Sequence, residues 1–543
     1  VSGDDPIDVG EALETLVHQF ADRWSFLREL IQNAIDAGSP EIEVRVDWEP
    51  PESGSPEPEL GLMCVEVIDA GEGMDRQIID TRLTRLFSSA KDGDYTKIGR
   101  FGIGFVSVFA IDPDLVCVDT GRAGEYWRVL FRQDRSFERI VLDLPTEGTT
   151  IRIYKRVVEA EAERARALAR RSLDYWCKHA KVEIRFEDEV LSRPLELDAR
   201  CVIEHQEEGT QLLIGYVGER AALRGYYHAG LTLHEEHDDR LPFVAFKIDS
   251  RYLEHTLTRD NVIRDDNYDK AMAIVASLAQ GRLVEELVAS LARAATEGRE
   301  DAEVEFLRIR LLRVLLSEPK QLPDAVLEAT IVPALSRSGE PEPLSLAEVR
   351  RQIKRCFVAR ATSPLTEALR ARGDLVLCYP ADSALDEIIE HHAKRRPSQV
   401  GLLCTATPAS SIEHERWQPL RAALLELLRA QELEVGDIAL GHLAYPQSPV
   451  TDRVAITQAK LGEITAVEDI GKLSSGWFSS KRLVVLNADH PTVHHLLELG
   501  EAEPELAAYL LLKLFFLRTE LGPERDNSLA SFAAEARWQR STS

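Results

Sequence analysis

Residues 23–37 read R-W-S-F-L-R-E-L-I-Q-N-A-I-D-A, and the surrounding chain becomes interpretable once this stretch is read as a helix. Apolar Trp24, Phe26, Leu27, Leu30, Ile31, Ala34 and Ile35 recur at near-helical spacing. Glu29, Asn33 and Asp36 fall at i, i+4 and i+7 and therefore share one face. An acid, an amide and a second acid in line can hold a water and a hard cation. Glu29 can take a proton from the water while the Asn33 amide oxygen ligates magnesium. The same spacing also describes an ordinary solvated helix face, so neighbouring segments must decide between the two readings.

Outward from this helix, Gly38-Ser39-Pro40 supplies a stop, since glycine suits the left-handed cap and proline cannot continue a helix. Upstream, residues 7–20 carry Val9, Leu13, Leu16, Val17 and Phe20 on one face of a short amphipathic helix. Downstream, 41–48 alternates as a strand and 63–68 forms a second, joined by a Pro/Glu/Ser/Gly loop over 50–58. The second strand runs into Asp69-Ala-Gly-Glu-Gly-Met74. An acid at a strand end followed by two glycines lets backbone and carboxylate approach a flat ligand, and that carboxylate can accept an exocyclic amine. A polar, glycine-containing stretch over 83–94 has the composition of a movable loop. It leads to Ile98-Gly-Arg-Phe-Gly-Ile-Gly-Phe105, whose glycines at 99, 102 and 104 precede a helical pattern and can present free N–H groups to phosphate. No strand immediately precedes those glycines in a βαβ unit, which excludes the usual dinucleotide fingerprint. Thr149 opens a further strand in Glu147-Gly-Thr-Thr-Ile-Arg-Ile-Tyr154.

E-L-I-Q-N-A-I-D-A, D-A-G-E-G-M, G-R-F-G-I-G-F and G-T-T, in this order over roughly the first 155 residues, resemble the ATPase superfamily of gyrase, heat-shock chaperones, sensor histidine kinases and the MutL repair protein. I-G-R-F-G-I-G-F-V-S-V-F is most similar to the heat-shock protein 90 branch. The resemblance implies an α/β (α+β) fold whose N-terminal part is a two-layer α/β sandwich binding ATP and Mg²⁺. It implies that Glu29 is the general base, Asn33 holds Mg²⁺, and Asp69 receives the adenine amine with Thr149 assisting. Gly71 and Gly73 would shape the pocket, and Gly99, Gly102, Gly104 and Phe105 would cradle phosphates. Asp36, Met74, Arg100, Phe101 and Ile103 belong to the same matched motifs. Lys91 sits where the family has a lid lysine that reaches phosphate. The chain departs from the family in a shorter lid, in Arg85 where asparagine is common, and in Gly38-Ser39-Pro40 where a basic residue is common.

Beyond residue 156 the order of helix, strands and Leu257-Thr-Arg-Asp-Asn-Val-Ile263 resembles that family's middle domain. Arg259 then matches an arginine delivered to the γ-phosphate, so that hydrolysis depends on domain docking. Near the end, Asn487-Ala-Asp-His-Pro491 resembles a C-terminal segment that precedes dimer-forming helices. Leu506, Leu510, Leu514 and Leu517 form a stripe at helical spacing, widened by Leu511, Leu512, Phe515 and Phe516. Such a helix suits dimerisation or an intramolecular core; dimerisation is the expectation here. The expected division is 1–156 for ATP binding, 157–300 for a middle domain with the arginine loop, 301–425 for a second α/β segment, and 426–543 for a mostly helical, dimerising C-terminal domain.

The bulk numbers agree. With 543 residues, 44% hydrophobic and 29% charged, the composition is that of a multidomain soluble protein. No membrane span or leader is evident, and seven scattered cysteines suit a reducing cytosol. With 92 acids against 65 bases and a net charge of -27, nucleic acid is not the expected partner. His391-His392 reads as a solvated helix end rather than a metal site. The expectation is therefore a cytoplasmic ATPase of chaperone type that closes a homodimer around a client protein. The alternatives are a nucleotide-gated scaffold with little turnover and a MutL- or topoisomerase-type ATPase on DNA. A sensor kinase is disfavoured, since His18 lies on too short a helix for a phosphoacceptor module.

Overall fold

A computed structural model describes residues 23–54, 56–84, 103–134, 136–254, 261–317, 324–433, 435–470, 482–516 and 521–542. The expected helix over 7–20 and the positions Lys91, Gly99, Arg100, Phe101, Gly102 and Arg259 lie outside them, as does the side chain of Ile103. The chain divides into two compact units, 1–283 and 284–543, and each is described by itself. The fold is mixed α/β, as the sequence predicts, with sheets in the first unit and a largely helical C-terminal region.

In the first unit, helix α1 is Phe26–Asp36. It buries Phe26, Leu27, Leu30, Ile31 and Ala34, the apolar positions of the opening stretch. It stops as Gly38 takes φ +75° and Ser39 donates its N–H to the Ala34 carbonyl at 3.0 Å. Strands β1 (Glu41–Glu49), β2 (Gly61–Asp69), β3 (Leu115–Arg122), β4 (Glu125–Arg132), β5 (Phe137–Val141) and β6 (Thr149–Val157) follow. Helix α2 (Glu159–Trp176) and strands β7 (Glu183–Phe186) and β8 (Glu189–Val190) complete this layer. Among the described residues the sheet has eight strands in the order β5-β4-β3-β6-β2-β1-β7-β8, antiparallel except for β1 with β7. Its two faces differ because strand side chains alternate. Val44, Val65, Val67, Val118 and Ile153 enter one core with α1, α2 and the turn 103–111. The opposite face carries a row of ion pairs, with Arg128 on Asp119 at 2.6 Å, Arg152 on Asp119 at 2.9 Å and on Glu66 at 2.7 Å. This is a two-layer sandwich with helices on one side and paired charge on the other.

A second sheet, among the described residues, joins β9 (Arg200–Glu207), β10 (Thr210–Tyr216), β11 (Ala222–His228), β12 (Leu231–Asp238) and β13 (Val244–Ser250) in the order β12-β11-β13-β10-β9. Helix α3 (Asp266–Gln280) follows, capped by Asp265, whose carboxylate accepts the N–H groups of Asn267 and Tyr268. The turn after α2 is pinned to this sheet. Lys178 pairs with Glu235 at 2.7 Å and Lys181 with Asp249 at 2.8 Å, and His179 lies 2.9 Å from Lys247.

Helix α4 (Arg282–Glu297) carries the division between the units in its first turn, and in the second unit α5 (Ala302–Ser317) leads to a small sheet of β14 (Ala334–Leu335), β15 (Cys356–Ala359), β16 (Leu375–Cys378) and β17 (Ser398–Gln399). Around it lie α6 (Leu346–Gln352), α7 (Pro364–Ala371) and α8 (Ala384–Ala393). The C-terminal portion pairs β18 (Thr407–Pro408), β19 (Asp437–His442), β20 (Ala455–Gln458) and β21 (Leu483–Asn487). Among the described residues four helices pack there: α9 (Ser411–Ala430), α10 (Pro491–Ala502), α11 (Pro504–Phe516) and α12 (Pro523–Thr542). Proline 491 starts α10 as expected. In α11, Leu511, Leu512, Phe515 and Phe516 belong to the intramolecular core, whereas Leu506, Leu510 and Leu514 lie on the less buried side. The apolar width of α11 is thus divided between core and surface.

Candidate functional site

Helix α1 links two loops. Near its N-terminal end Glu29 is only 4% exposed, and the backbone of Gly104 lies against its carboxylate. A Cβ on Gly104 would stand 2.7 Å from Glu29 Oε2, so any side chain there would displace the acid. Along the same face Asn33 and Asp36 are exposed, and Gln32 Nε2 donates to Asp36 Oδ1 at 3.0 Å. One helical face therefore grades from a buried acid to an open amide and acid.

The other end of α1 is tied to the Asp69 loop. Ser39, 2% exposed, accepts the Ala70 N–H at 2.9 Å, and the Ala37 carbonyl accepts the Glu72 N–H at 2.9 Å. Asp69 ends β2 half-buried, with the Gly71 N–H donating to its Oδ1 at 2.8 Å. Burial raises its pKa above the ordinary carboxylate value, opposed by the backbone amides of Gly71 and Thr149. Gly73 takes φ +67° with its Cα facing the Gly121 carbonyl, where a Cβ would stand at 2.1 Å. Met74 donates its N–H to Thr120 Oγ1 at 2.9 Å.

Register places Asp69 opposite Thr149 across β2 and β6, and Thr149 opposite Thr120 across β6 and β3. Because directly opposed residues share a face, these three side chains form one polar row on the helix-covered side of the sheet. The two threonines are 7% and 0% exposed, with their hydroxyls 3.0 Å apart.

The turn 103–111 starts its helix at Ile103, so Gly104 lies in the first turn rather than ahead of it. The Phe105 ring points into the core, 5.1 Å from Phe131. Two positions had no site role in the reading of the sequence: Ser39, taken only as part of a helix stop, and Thr120. Thr120 had a signal, because Val116, Val118 and Thr120 alternate and set a hydroxyl in an apolar row.

An acceptor (Asp69) beside a hydroxyl (Thr149) suits the amine and ring nitrogen of adenine. The exposed Asn33 amide carries an oxygen of the kind Mg²⁺ takes, one helical turn beyond the buried Glu29 carboxylate. Among the described residues no group of three or more His, Cys, Asp or Glu side chains could hold a metal. The single exposed Asn33 amide oxygen suits a Mg²⁺ that keeps most of its waters, the usual mode for this ion. His391 and His392 lie partly buried in the last turn of α8 rather than fully solvated.

Helix, acid-ended strand and glycine turn, assembled on a two-layer sandwich, have the arrangement expected of a domain in the superfamily of gyrase, heat-shock chaperones, sensor histidine kinases and MutL. Residues 22–135 match the family described as histidine kinase-, DNA gyrase B- and HSP90-like ATPase. Within that class the chain has distant similarity to HtpG chaperones over about half its length. It is 28% identical over 305 residues to the chaperone protein HtpG of Nitrosospira multiformis, covering 48% of this chain and 47% of the relative. It is 31% identical over 184 residues to HtpG of Actinobacillus pleuropneumoniae, 28% of each. HtpG of Nitrobacter hamburgensis is 26% identical over 268 residues, 44% of this chain and 42% of the relative. The chain thus spans less than half the length of these curated relatives. Among the described residues no helix is long and apolar enough to cross a membrane.

Proposed function

We propose that this protein hydrolyses ATP with Mg²⁺ and uses the cycle, as a chaperone would, to close a homodimer around a client protein. The observation that carries this reading is α1 itself, which sets a buried Glu29 against Gly104 at one end and is tied to the Asp69 loop at the other.

Asp69 accepts the adenine amine, with Thr149 at its side, and Gly71, Gly73 and Met74 form the turn beneath the base. Backbone groups over Gly99, Arg100, Phe101, Gly102, Ile103, Gly104 and Phe105 face the phosphates, with Asp36 on the open side of α1 and Lys91 from the lid. Asn33 holds the metal, which supplies charge neutralisation on the phosphate oxygens. Glu29 orients and deprotonates the attacking water, and its burial keeps bulk solvent from competing. Arg259 stabilises charge on the transferred group and makes turnover depend on docking of its loop.

The less buried face of α11 supports dimerisation: Leu510 is 37% exposed and aligned with Leu506 and Leu514. In functional terms the division is 1–156, 157–300, 301–425 and 426–543, although the strands β7 and β8 of the second part join the sheet of the first. Likeness to HtpG and the acidic composition support a cytoplasmic setting and protein clients rather than nucleic acid.

Equilibrium binding of Mg-ATP, with turnover measured on the same samples, tests this for the wild-type chain and Arg259→Ala. Wild type should bind and hydrolyse, and the variant should bind equally but turn over more slowly. Binding without turnover in wild type would replace this reading with the nucleotide-gated scaffold, which the short lid favours. No binding at all would remove both.

A further inference from the structure

We propose that Arg122 is a positioning residue: through its ion pair with Glu72 it braces the turn after Asp69 against β3 and so sets the affinity for adenine. This rests on the reading of Asp69 as the acid that meets the base.

The turn has little support of its own. Glu72 lies between two glycines, and space demands both of them. A Cβ on Gly71 would stand 2.9 Å from the Ala37 Cβ and from Asp69 Oδ1, and one on Gly73 2.1 Å from the Gly121 carbonyl oxygen. Glycine on each side leaves the backbone of Glu72 free to swing unless something outside the turn holds it. On the α1 side the Ala70 and Glu72 N–H groups are held by Ser39 Oγ and the Ala37 carbonyl.

The other holds come from the end of the β3–β4 hairpin. Glu72 Oε2 lies 2.7 Å from Arg122 Nη2, the Gly73 backbone rests on the Gly121 carbonyl, and Met74 donates its N–H to Thr120 Oγ1 at 2.9 Å. Residues 72, 73 and 74 thus descend β3 in order, on 122, 121 and 120. Glu125 stands opposite Arg122 in the strand register, but its Oε2 accepts the Arg76 N–H at 3.0 Å and the Trp127 indole N–H at 3.1 Å. Arg122 turns instead to Glu72. Glu72 therefore joins two elements, with its N–H on α1 and its carboxylate on β3. Moving it off β3 also moves the neighbouring Gly71 N–H, which donates to Asp69 Oδ1 at 2.8 Å and so orients that carboxylate. The Arg122 and Glu72 side chains are 39% and 68% exposed, so their pair adds little to global stability and its effect falls on the turn.

Adenosine binding to the full chain tests this, since a neutral ligand does not itself respond to a changed charge nearby. Arg122→Glu, which sets two acids against each other, should weaken adenosine by about fivefold, and Glu72→Arg by about as much. Carrying both substitutions rebuilds the pair in reverse and should return the affinity to within about twofold of wild type. A merely structural contribution of either side chain would not recover on exchange. In about 1 M salt, where screening acts within about 3 Å, the single variants should converge on wild type. All three variants should melt close to wild type. Single variants that bind adenosine as wild type does overturn the proposal, and so does a double variant as weak as either single one. Failure of the wild type to bind adenosine would instead remove the reading of Asp69 as the base-contacting acid.

Discussion

Two short polar motifs, Asp69-Ala-Gly-Glu-Gly-Met74 in the first unit and Asn487-Ala-Asp-His-Pro491 in the second, both follow a strand and both begin a turn. They end in opposite states. Asp69 sits half-buried among glycines, with its pKa raised by burial and a hydroxyl row beside it. Asn487 is fully buried, and its amide donates to the Thr451 and Arg453 carbonyls at 2.8 and 2.9 Å while its oxygen accepts the Asp489 N–H at 3.1 Å. Asp489 accepts the Leu443 and Ala444 N–H groups at 2.9 and 2.8 Å and contacts His442 at 2.7 Å. His490 caps α10 by accepting the Thr492 N–H. Polar groups saturated by their own chain build structure. Polar groups beside glycine-lined space remain able to serve a ligand.

If that contrast is right, Asp69→Asn should lose ATP binding by about 100-fold or more, because an amide N–H₂ would face the base's amine. Its melting temperature should stay near that of wild type, and a large drop in melting temperature would place Asp69 with the structural motifs. The converse variant, Asn487→Ala, should destabilise the second unit by about 2–3 kcal/mol in urea unfolding, since it strands buried carbonyls and N–H groups. ATP affinity should be untouched; a parallel loss of affinity would break the distinction. Gly104→Ala sharpens the first half, as its methyl must displace Glu29. Turnover should fall by about tenfold or more with binding retained, and normal turnover would mean that Glu29 is not held by this contact.

The smallest effect concerns two histidines with opposite shifts. His442, between Asp489 and Glu413, is raised above 6.5 by those hydrogen bonds, which outweigh its burial. Its contribution is complete below 6.5 and is lost as pH rises through the raised value. Burial and the neighbouring Lys247 depress His179 to about 4, so its contribution is complete above 6.5 and fades as pH falls toward 4. His442→Gln should therefore flatten the alkaline side of the stability profile and His179→Gln the acid side. Matching profiles for both variants would contradict the assignment.

The core of the site was legible because it is local. α1, the acid-ended β2 and the threonine opening β6 each carry their signal within a few residues, through helical period, alternation and glycine placement. Thr120 was not legible, because its meaning comes from register with Thr149, twenty-nine residues away on a neighbouring strand. Ser39 looked like a helix stop, and only the fold brings the Ala70 N–H to it. Helix α9 forms over Ser411–Ala430 with a Ser410–Glu413 capping box and Pro419 inside it, a stretch to which the sequence reading assigned no element of its own. The division of α11 between core and surface depends on α9, α10 and α12 packing round it, which no local pattern records.

The central claim is that Glu29 on α1 activates water for ATP hydrolysis. Single-turnover hydrolysis of Mg-ATP by wild type and Glu29→Ala, with bound nucleotide measured in the same samples, tests it most directly. The account predicts equal binding and a loss of turnover of about 100-fold or more in the variant. Wild-type and Glu29→Ala proteins hydrolysing bound ATP at the same rate would contradict it.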